Sequence, residues 1–224
     1  NTQRVIVVNA LDTDLVGNFQ VLLEDSVGLP AGRVQLSVAK SAAYTGTLFY
    51  RDGKNYALKG VLSVDVTTGN AEGTVQTIAR KNLASLVFEL DLTAAGGVSA
   101  TVTEGADTFS GTGIKNYLFT AKAPAPWRGT GKGVYNITLD DVSAVPVFTD
   151  AVLKAGKGTL TVAVNGTVAL RLRGSDRTTA NVDNGTLITG SYVASVDSEY
   201  LPYTRPYTGT RATGYFGGWM RFAD

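Results

Sequence analysis

Four pairs of carboxylates and one aromatic run are the parts of this chain that could do chemistry. Asp12/Asp14, Glu24/Asp25, Asp140/Asp141 and Asp197/Glu199 each set two acids side by side or one residue apart. Two carboxyls held ~5–9 Å apart could hydrolyse a glycoside, and several oxygens together could bind calcium. Adjacent acids in a strand point to opposite faces, so Glu24/Asp25 and Asp140/Asp141 serve one substrate only where the strand has ended. No D-x-D-x-D-G calcium loop occurs, and solvated turns are the plainer account of all four pairs. The aromatic run extends from Tyr192 to Phe222. Rings spaced along a loop stiffened by Pro202 and Pro206 could stack on sugars, which makes Tyr200, Tyr203, Tyr207 and Trp219 the candidate ligand-binding residues. The competing account has the rings fill or cover a β-core. Trp219, framed by Gly217-Gly218 and Met220, is expected to be core, and Tyr203 and Tyr207, each following a proline, to face solvent.

Two absences narrow the chemistry further. With no Cys there is no disulfide, thiolate nucleophile or zinc ribbon, and with no His there is no imidazole base or ligand. A Ser-His-Asp site is excluded, while paired carboxylates, Ser-Lys and Tyr-based mechanisms stay open. The expectation is therefore a protein without catalytic residues, cofactor or metal. A formal charge of +1, from 20 Lys and Arg against 19 Asp and Glu, gives no field to draw the chain onto nucleic acid. No apolar run approaches the ~18 residues of a membrane-spanning helix. The start at Asn1 reads as a processed product or an excised part of a longer protein. Arg171 and Arg173 alternate with Leu170 and Leu172, which puts both cations on one face. That face suits an anion or acidic polysaccharide, with a merely solvated sheet face as the plainer reading.

The elements that must position these residues are strands. Gly is abundant, 26 of 224 residues, roughly 12% against an average of ~7%, and Thr and Val recur in period-two alternation, as in Phe19/Val21/Leu23 and Val34/Leu36/Val38. Turn dipeptides punctuate these runs at Asp52-Gly53, Gly69-Asn70, Asn165-Gly166 and Asn184-Gly185. Leu83 to Leu92 also fits helical spacing, but Leu86, Phe88, Leu90 and Leu92 alternate with Val87, Glu89 and Asp91, which favours a strand. One unit occurs twice. Val34-Gln35-Leu36-Ser37-Val38 aligns with Gly158-Thr159-Leu160-Thr161-Val162, and at the same offset Tyr44 and Leu48 meet Val168 and Leu172. Upstream, Gly17 to Asp25 aligns with Gly133 to Asp141 at a shorter offset, the difference falling in a loop.

These observations predict an all-β chain: an antiparallel β-barrel or sandwich built from two related halves of roughly six or seven strands. The expected layout is an N-terminal strand or linker at 1–16, a first half at 17–120, a Pro/Gly linker at 121–132 and a second half at 133–224. The second half lacks a clear counterpart of Leu83 to Val102. A single barrel with strands from both halves is therefore favoured over two β-domains, with neither half folding alone.

The repeated pieces also resemble a known family. Gly133-Val134-Tyr135-Asn136-Ile137-Thr138-Leu139, Ala155-Gly156-Lys157-Gly158-Thr159-Leu160-Thr161-Val162, Gly174-Ser175-Asp176-Arg177-Thr178 and Gly218-Trp219-Met220-Arg221-Phe222 carry the likeness. Gly46-Thr47-Leu48-Phe49-Tyr50 and Tyr56-Ala57-Leu58-Lys59-Gly60 carry it in the first copy. They resemble a duplicated β-rich module of very large secreted proteins from environmental Gram-negative bacteria, where it sits beside immunoglobulin-like or other repeat domains. The chain departs from that pattern at Gly174 to Thr178, where the family tends to have Asp-Gly-Thr. The resemblance implies a non-enzymatic extracellular or cell-surface module, a spacer, matrix or assembly component. Its partners would be other domains of a parent protein, further copies of itself, or polysaccharide. A carbohydrate-binding module using the C-terminal aromatics, a small-ligand barrel and a carboxylate enzyme follow in that order.

Overall fold

The computed structural model describes residues 11–125, 133–140, 155–174, 187–193, 199–200, 203–204 and 216–222. They fall into two compact units, Asn1–Lys115 and Asn116–Asp224. Every strand pairing is antiparallel, and the described residues include no α-helix, so the all-β expectation holds.

The first unit is an up-and-down barrel. A single 3-10 turn, η1 (Thr13–Leu15), precedes β1 (Gly17–Glu24), β2 (Pro30–Val38), β3 (Ala43–Tyr50), β4 (Asn55–Val64), β5 (Ala71–Gly73), β6 (Gln76–Ile78), β7 (Leu86–Leu92), β8 (Val98–Glu104) and β9 (Asp107–Lys115). Neighbours in sequence are neighbours in the sheet, and β9 returns to β1 through Phe19↔Lys115 and Val21↔Gly113. β5 sets Ala71 and Glu72 against Leu92 and Asp91, and β6 continues along the same edge of β7 from Gln76↔Phe88 to Ile78↔Leu86. β5 and β6 thus act as one interrupted strand, and the nine strands close an eight-stranded barrel. The closure lies wholly within the first half, which corrects the expectation of one barrel shared between both halves. The reason is local: β5 satisfies the open edges of both β4 and β7 before the chain leaves the unit.

Alternation decides which residues fill the barrel. β7 buries Leu86, Phe88, Leu90 and Leu92 while Glu89 and Asp91 face out, so the strand reading of this segment is right and the helical spacing is incidental. The same rule buries Phe19, Val21, Leu23, Val34, Leu36, Leu48, Val102 and Phe109 in one continuous cluster. Eight strands enclose a space just wide enough for side chains to fill. Outward positions such as Gln35, Thr47, Lys59, Glu89 and Thr108 are exposed or half-exposed and polar, the reverse of the apolar outer band of a membrane-spanning barrel. On β4 the alternation stops at buried Leu62, because the strand ends at Val64 and Val66 lies in the following turn, 81% exposed.

The second unit contains a four-stranded sheet in the order β10 (Val134–Asp140), β11 (Ala155–Val162), β12 (Thr167–Gly174), β13 (Leu187–Val193). Two short ladders follow, β14 (Glu199–Tyr200) with β17 (Met220–Arg221), and β15 (Tyr203–Thr204) with β16 (Phe216–Gly217). The sequence repeat reappears here as structure. Gly32↔Tyr50, Val34↔Leu48 and Val38↔Tyr44 in the β2–β3 ladder correspond pair for pair to Gly156↔Gly174, Gly158↔Leu172 and Val162↔Val168 between β11 and β12. Phe19↔Leu36 likewise becomes Tyr135↔Leu160, so β1–β4 and β10–β13 are two copies of one meander. Asn165-Gly166 makes the β11–β12 hairpin as expected, with Gly166 at φ +81°.

Leu160, Val162, Val168, Leu170, Leu172 and Tyr192 form the core of this sheet, and Ala125 is buried with them. The expected linker at 121–132 is described only to Ala125. Over that stretch, Phe119 and Ala125 donate backbone hydrogen bonds to the Asn165 and Val164 carbonyls. The segment from Asn116 is thus built into the second unit.

Candidate functional site

Among the described residues, polar side chains gather at one end of the barrel, and the aromatic candidates lie in the C-terminal segment. At the barrel end, β3 runs out at Tyr50, β8 at Glu104, and the β6–β7 loop folds inward with Arg80. The Arg80 side chain is only 2% exposed. Its Nε donates to the Ala84 carbonyl at 2.7 Å, one terminal nitrogen reaches Asp52 at 3.3 Å, and the other pairs with Glu104. Glu104 accepts a second bond from the Tyr50 hydroxyl at 2.7 Å and a third from Arg51 at 2.9 Å. Asp52 accepts from the Tyr56 hydroxyl at 2.5 Å. The Arg51 guanidinium lies 4.2 Å over the Phe109 ring and also reaches Asp107 at 3.4 Å.

The electrostatics follow from this packing. Burial alone would raise the Glu104 carboxyl, but hydrogen bonds from Arg80, Tyr50 and Arg51 outweigh it and hold it down to about 2. Burial, then the bond to Glu104, pushes the Tyr50 phenol above its ordinary range. Burial and the bond to Asp52 raise Tyr56 as well. Glu104 is thus held as an anion and the Tyr50 and Tyr56 hydroxyls as neutral donors. The geometry of the cluster is that of a plug.

The other end is closed by apolar packing. Leu11 and Leu15 join the barrel core, and the Lys115 ammonium donates to the Thr13 and Asp14 carbonyls at 2.8 and 3.1 Å, tying η1 to β9.

Within the first unit, the two carboxylate pairs read from the sequence serve separate places, η1 and the end of β1 with its turn. Asp12 caps η1 by accepting from the Asp14 backbone N–H, and Asp25 accepts from the Val27 and Leu29 N–H groups in the β1–β2 turn. Asp140 ends β10 and Glu199 pairs in register with Arg221; Asp141 and Asp197 lie outside the described residues. The plug itself was missed by sequence reasoning. Its members come from four separate places, and the only local signal is the Tyr50-Arg51-Asp52 run at a turn.

Among the aromatic candidates, Tyr200 pairs with Met220 and Tyr203 with Gly217, so the backbone brings both beside the Phe216–Arg221 segment that carries Trp219. Tyr207 lies outside the described residues. Trp219 is 39% exposed, which corrects its assignment to the core. Met220 and Phe222 pack against the core cluster instead, and period-two alternation turns the residue before Met220 outward.

No family model, curated protein or solved structure matches this chain.

Proposed function

We propose that this chain is a non-catalytic structural or interaction module of a larger secreted or surface protein, serving as a spacer, matrix or assembly component. The observation that carries the reading is the filled, doubly capped barrel. One continuous apolar cluster occupies its interior, η1 covers one end, and Arg80 with Glu104 closes the other. A small-ligand barrel needs a cavity and a few convergent polar groups, and an enzyme needs a titratable group poised near the working pH in an open cleft. The polar groups of the plug are instead turned on one another. The extracellular setting rests on the resemblance of the repeated motifs to secreted β-modules.

The test is a screen of the full chain against chromogenic glycoside, ester and phosphate substrates, together with titration of a fluorescent fatty-acid probe. No turnover and no saturable probe binding are expected. Turnover that disappears in Glu104→Gln, or a probe bound stoichiometrically in the barrel, would overturn the proposal in favour of an enzyme or a ligand carrier.

A second reading has one specific observation behind it. Trp219 is exposed on a segment that pairs with the strands carrying Tyr200 and Tyr203, an arrangement compatible with a carbohydrate-stacking platform. Loss of glycan binding in a Trp219→Ala variant of unchanged stability would favour it.

A further inference from the structure

The barrel wall between β4 and β6 is held by side chains where its other seams are held by backbone ladders. Among the described residues, β4 pairs with β5 only from Leu62 to Val64, and no ladder joins β4 to β6. The next tie along the seam is Thr74, whose backbone N–H and hydroxyl both donate to the Val61 carbonyl at 3.0 Å. Beyond it the Gln76 carboxamide stands in for a paired residue: it accepts from the Lys59 N–H and donates to the Ala57 carbonyl, each at 3.0 Å. From inside, the buried Tyr44 hydroxyl donates to the Thr74 carbonyl at 2.9 Å, and its ring lies against Gly60 and Gly73, where a Cβ would collide with it or crowd it. The last tie is Arg80, which reaches Asp52 in the β3–β4 turn at 3.3 Å. Two side chains, Gln76 and Arg80, therefore join the first half of β4 and its turn to the segment that follows Thr74.

We infer that Val75 to Ser85 is a strap, hinged at Thr74, that lifts off β4 while the remaining ladders stay closed, so that the barrel opens along one seam before it unfolds as a whole. Water replaces an exposed hydrogen bond when it breaks, so the Gln76 bridge adds little net stability. Segments with few buried apolar contacts and exposed backbone bonds open at a fraction of the global unfolding free energy. The strap meets both conditions: Val75, Thr77, Ala79 and Lys81 to Ser85 are exposed, as are Ala57, Lys59 and Val61 on the facing edge, and Ile78 packs on the core while only partly buried. β1, across the barrel, is its opposite, with Phe19, Val21 and Leu23 buried and a ladder on each edge. Lifting the strap uncovers Leu58, which lies between the two β4 residues that Gln76 ties, and Phe88, which stands opposite Gln76 in β7. Arg80 is the catch of this strap, so the plug and the seam open together.

The experiment is residue-resolved amide hydrogen exchange of the full chain, read by NMR under conditions where exchange reports the opening equilibrium. The reporter is the Lys59 N–H, and the control is the Leu62 N–H, which donates to the Ala42 carbonyl on the β3 side. Lys59 is expected to exchange at least about tenfold faster than Leu62 and the β2 amides. Gln76→Glu keeps the acceptor for Lys59 but removes the donor to Ala57, and should speed Lys59 about tenfold; Arg80→Met, at the other end of the strap, should speed it about tenfold as well. Val21→Ala, in the buried core across the barrel, separates local from global opening: it should speed Leu62 and the β2 amides about tenfold and leave Lys59 within about twofold of the parent. Lys59 exchanging as slowly as the β2 amides in the parent, a comparison that needs no variant to fold, would overturn the inference. So would Lys59 speeded by Val21→Ala as much as Leu62 is, which means opening only by global unfolding. Unchanged Lys59 exchange in Arg80→Met or in Gln76→Glu would overturn it too, by uncoupling the seam from the side chain said to hold it.

Discussion

Replacing Arg80 by Met removes the keystone of the barrel plug while keeping much of its apolar stem. The Arg80 side chain is 2% exposed and bridges Asp52 and Glu104, both 19% exposed. Breaking a buried pair by deleting one partner costs ~3–5 kcal/mol, because the other charge is left desolvated. Here the lower end applies, since Glu104 keeps its bonds from Tyr50 and Arg51, and Asp52 keeps Tyr56. For a domain slightly longer than 100 residues, about 3 kcal/mol lowers Tm by roughly 12 °C at ~4 °C per kcal/mol. Differential scanning calorimetry of Arg80→Met, Glu104→Gln and the double variant measures both the loss and the coupling. Neighbours in one network should show non-additivity of ~0.5–3 kcal/mol. If Arg80→Met melted within about 3 °C of the parent, a shift worth under 1 kcal/mol by the same scale, the plug would not stabilise the barrel and the reasoning would fail.

The same network predicts an acid limb. The folded Glu104 carboxyl takes up its proton at about 2 rather than 4.5, so the unfolded chain protonates first as pH falls. Stability is full above about pH 4.5 and is lost toward about pH 2; the shift corresponds to about 3 kcal/mol, and Glu104→Gln should flatten this part of a pH series of thermal melts. At the β1–β9 seam, a Cβ on Gly111 would overlap the Leu22 carbonyl oxygen, so Gly111→Val should cost at least ~1–3 kcal/mol by overpacking, read as a lowered denaturation midpoint in urea. Trp219→Ala, at an exposed position, should stay within about 0.5 kcal/mol of the parent in the same assay; a loss of several kcal/mol would return that ring to the core.

How much could be read from the sequence depends on the range of the interactions involved. The meanders were legible because alternation and turn dipeptides are local signals: Asn165-Gly166 marks a hairpin whose flanking Leu160/Val162 and Val168/Leu170 do bury. The duplication was legible because register follows pattern, and Val34↔Leu48 reappears as Gly158↔Leu172. Closure was not legible. Whether β5 pairs with β7 or leaves an edge for the second half turns on a three-residue strand, Ala71–Gly73, with no distinctive composition. The plug was hidden for a related reason: Arg80 and Glu104 carry no motif, and the β6–β7 loop must fold over the barrel before they meet. Trp219 was misplaced because its flanking glycines suggested tight packing, whereas Met220 and Phe222 occupy the inward positions.

The most direct test of the closed, self-sufficient barrel is a calorimetric melt of residues 1–115 expressed alone. The fragment contains every strand of the β1–β9 cycle and both caps. A single cooperative transition is predicted, with matching calorimetric and van't Hoff enthalpies of roughly 60–80 kcal/mol, as befits a domain of about 100 residues. A fragment that aggregates, or melts without a cooperative transition while the full chain melts sharply, would contradict the account and show that the barrel requires strands from the second half.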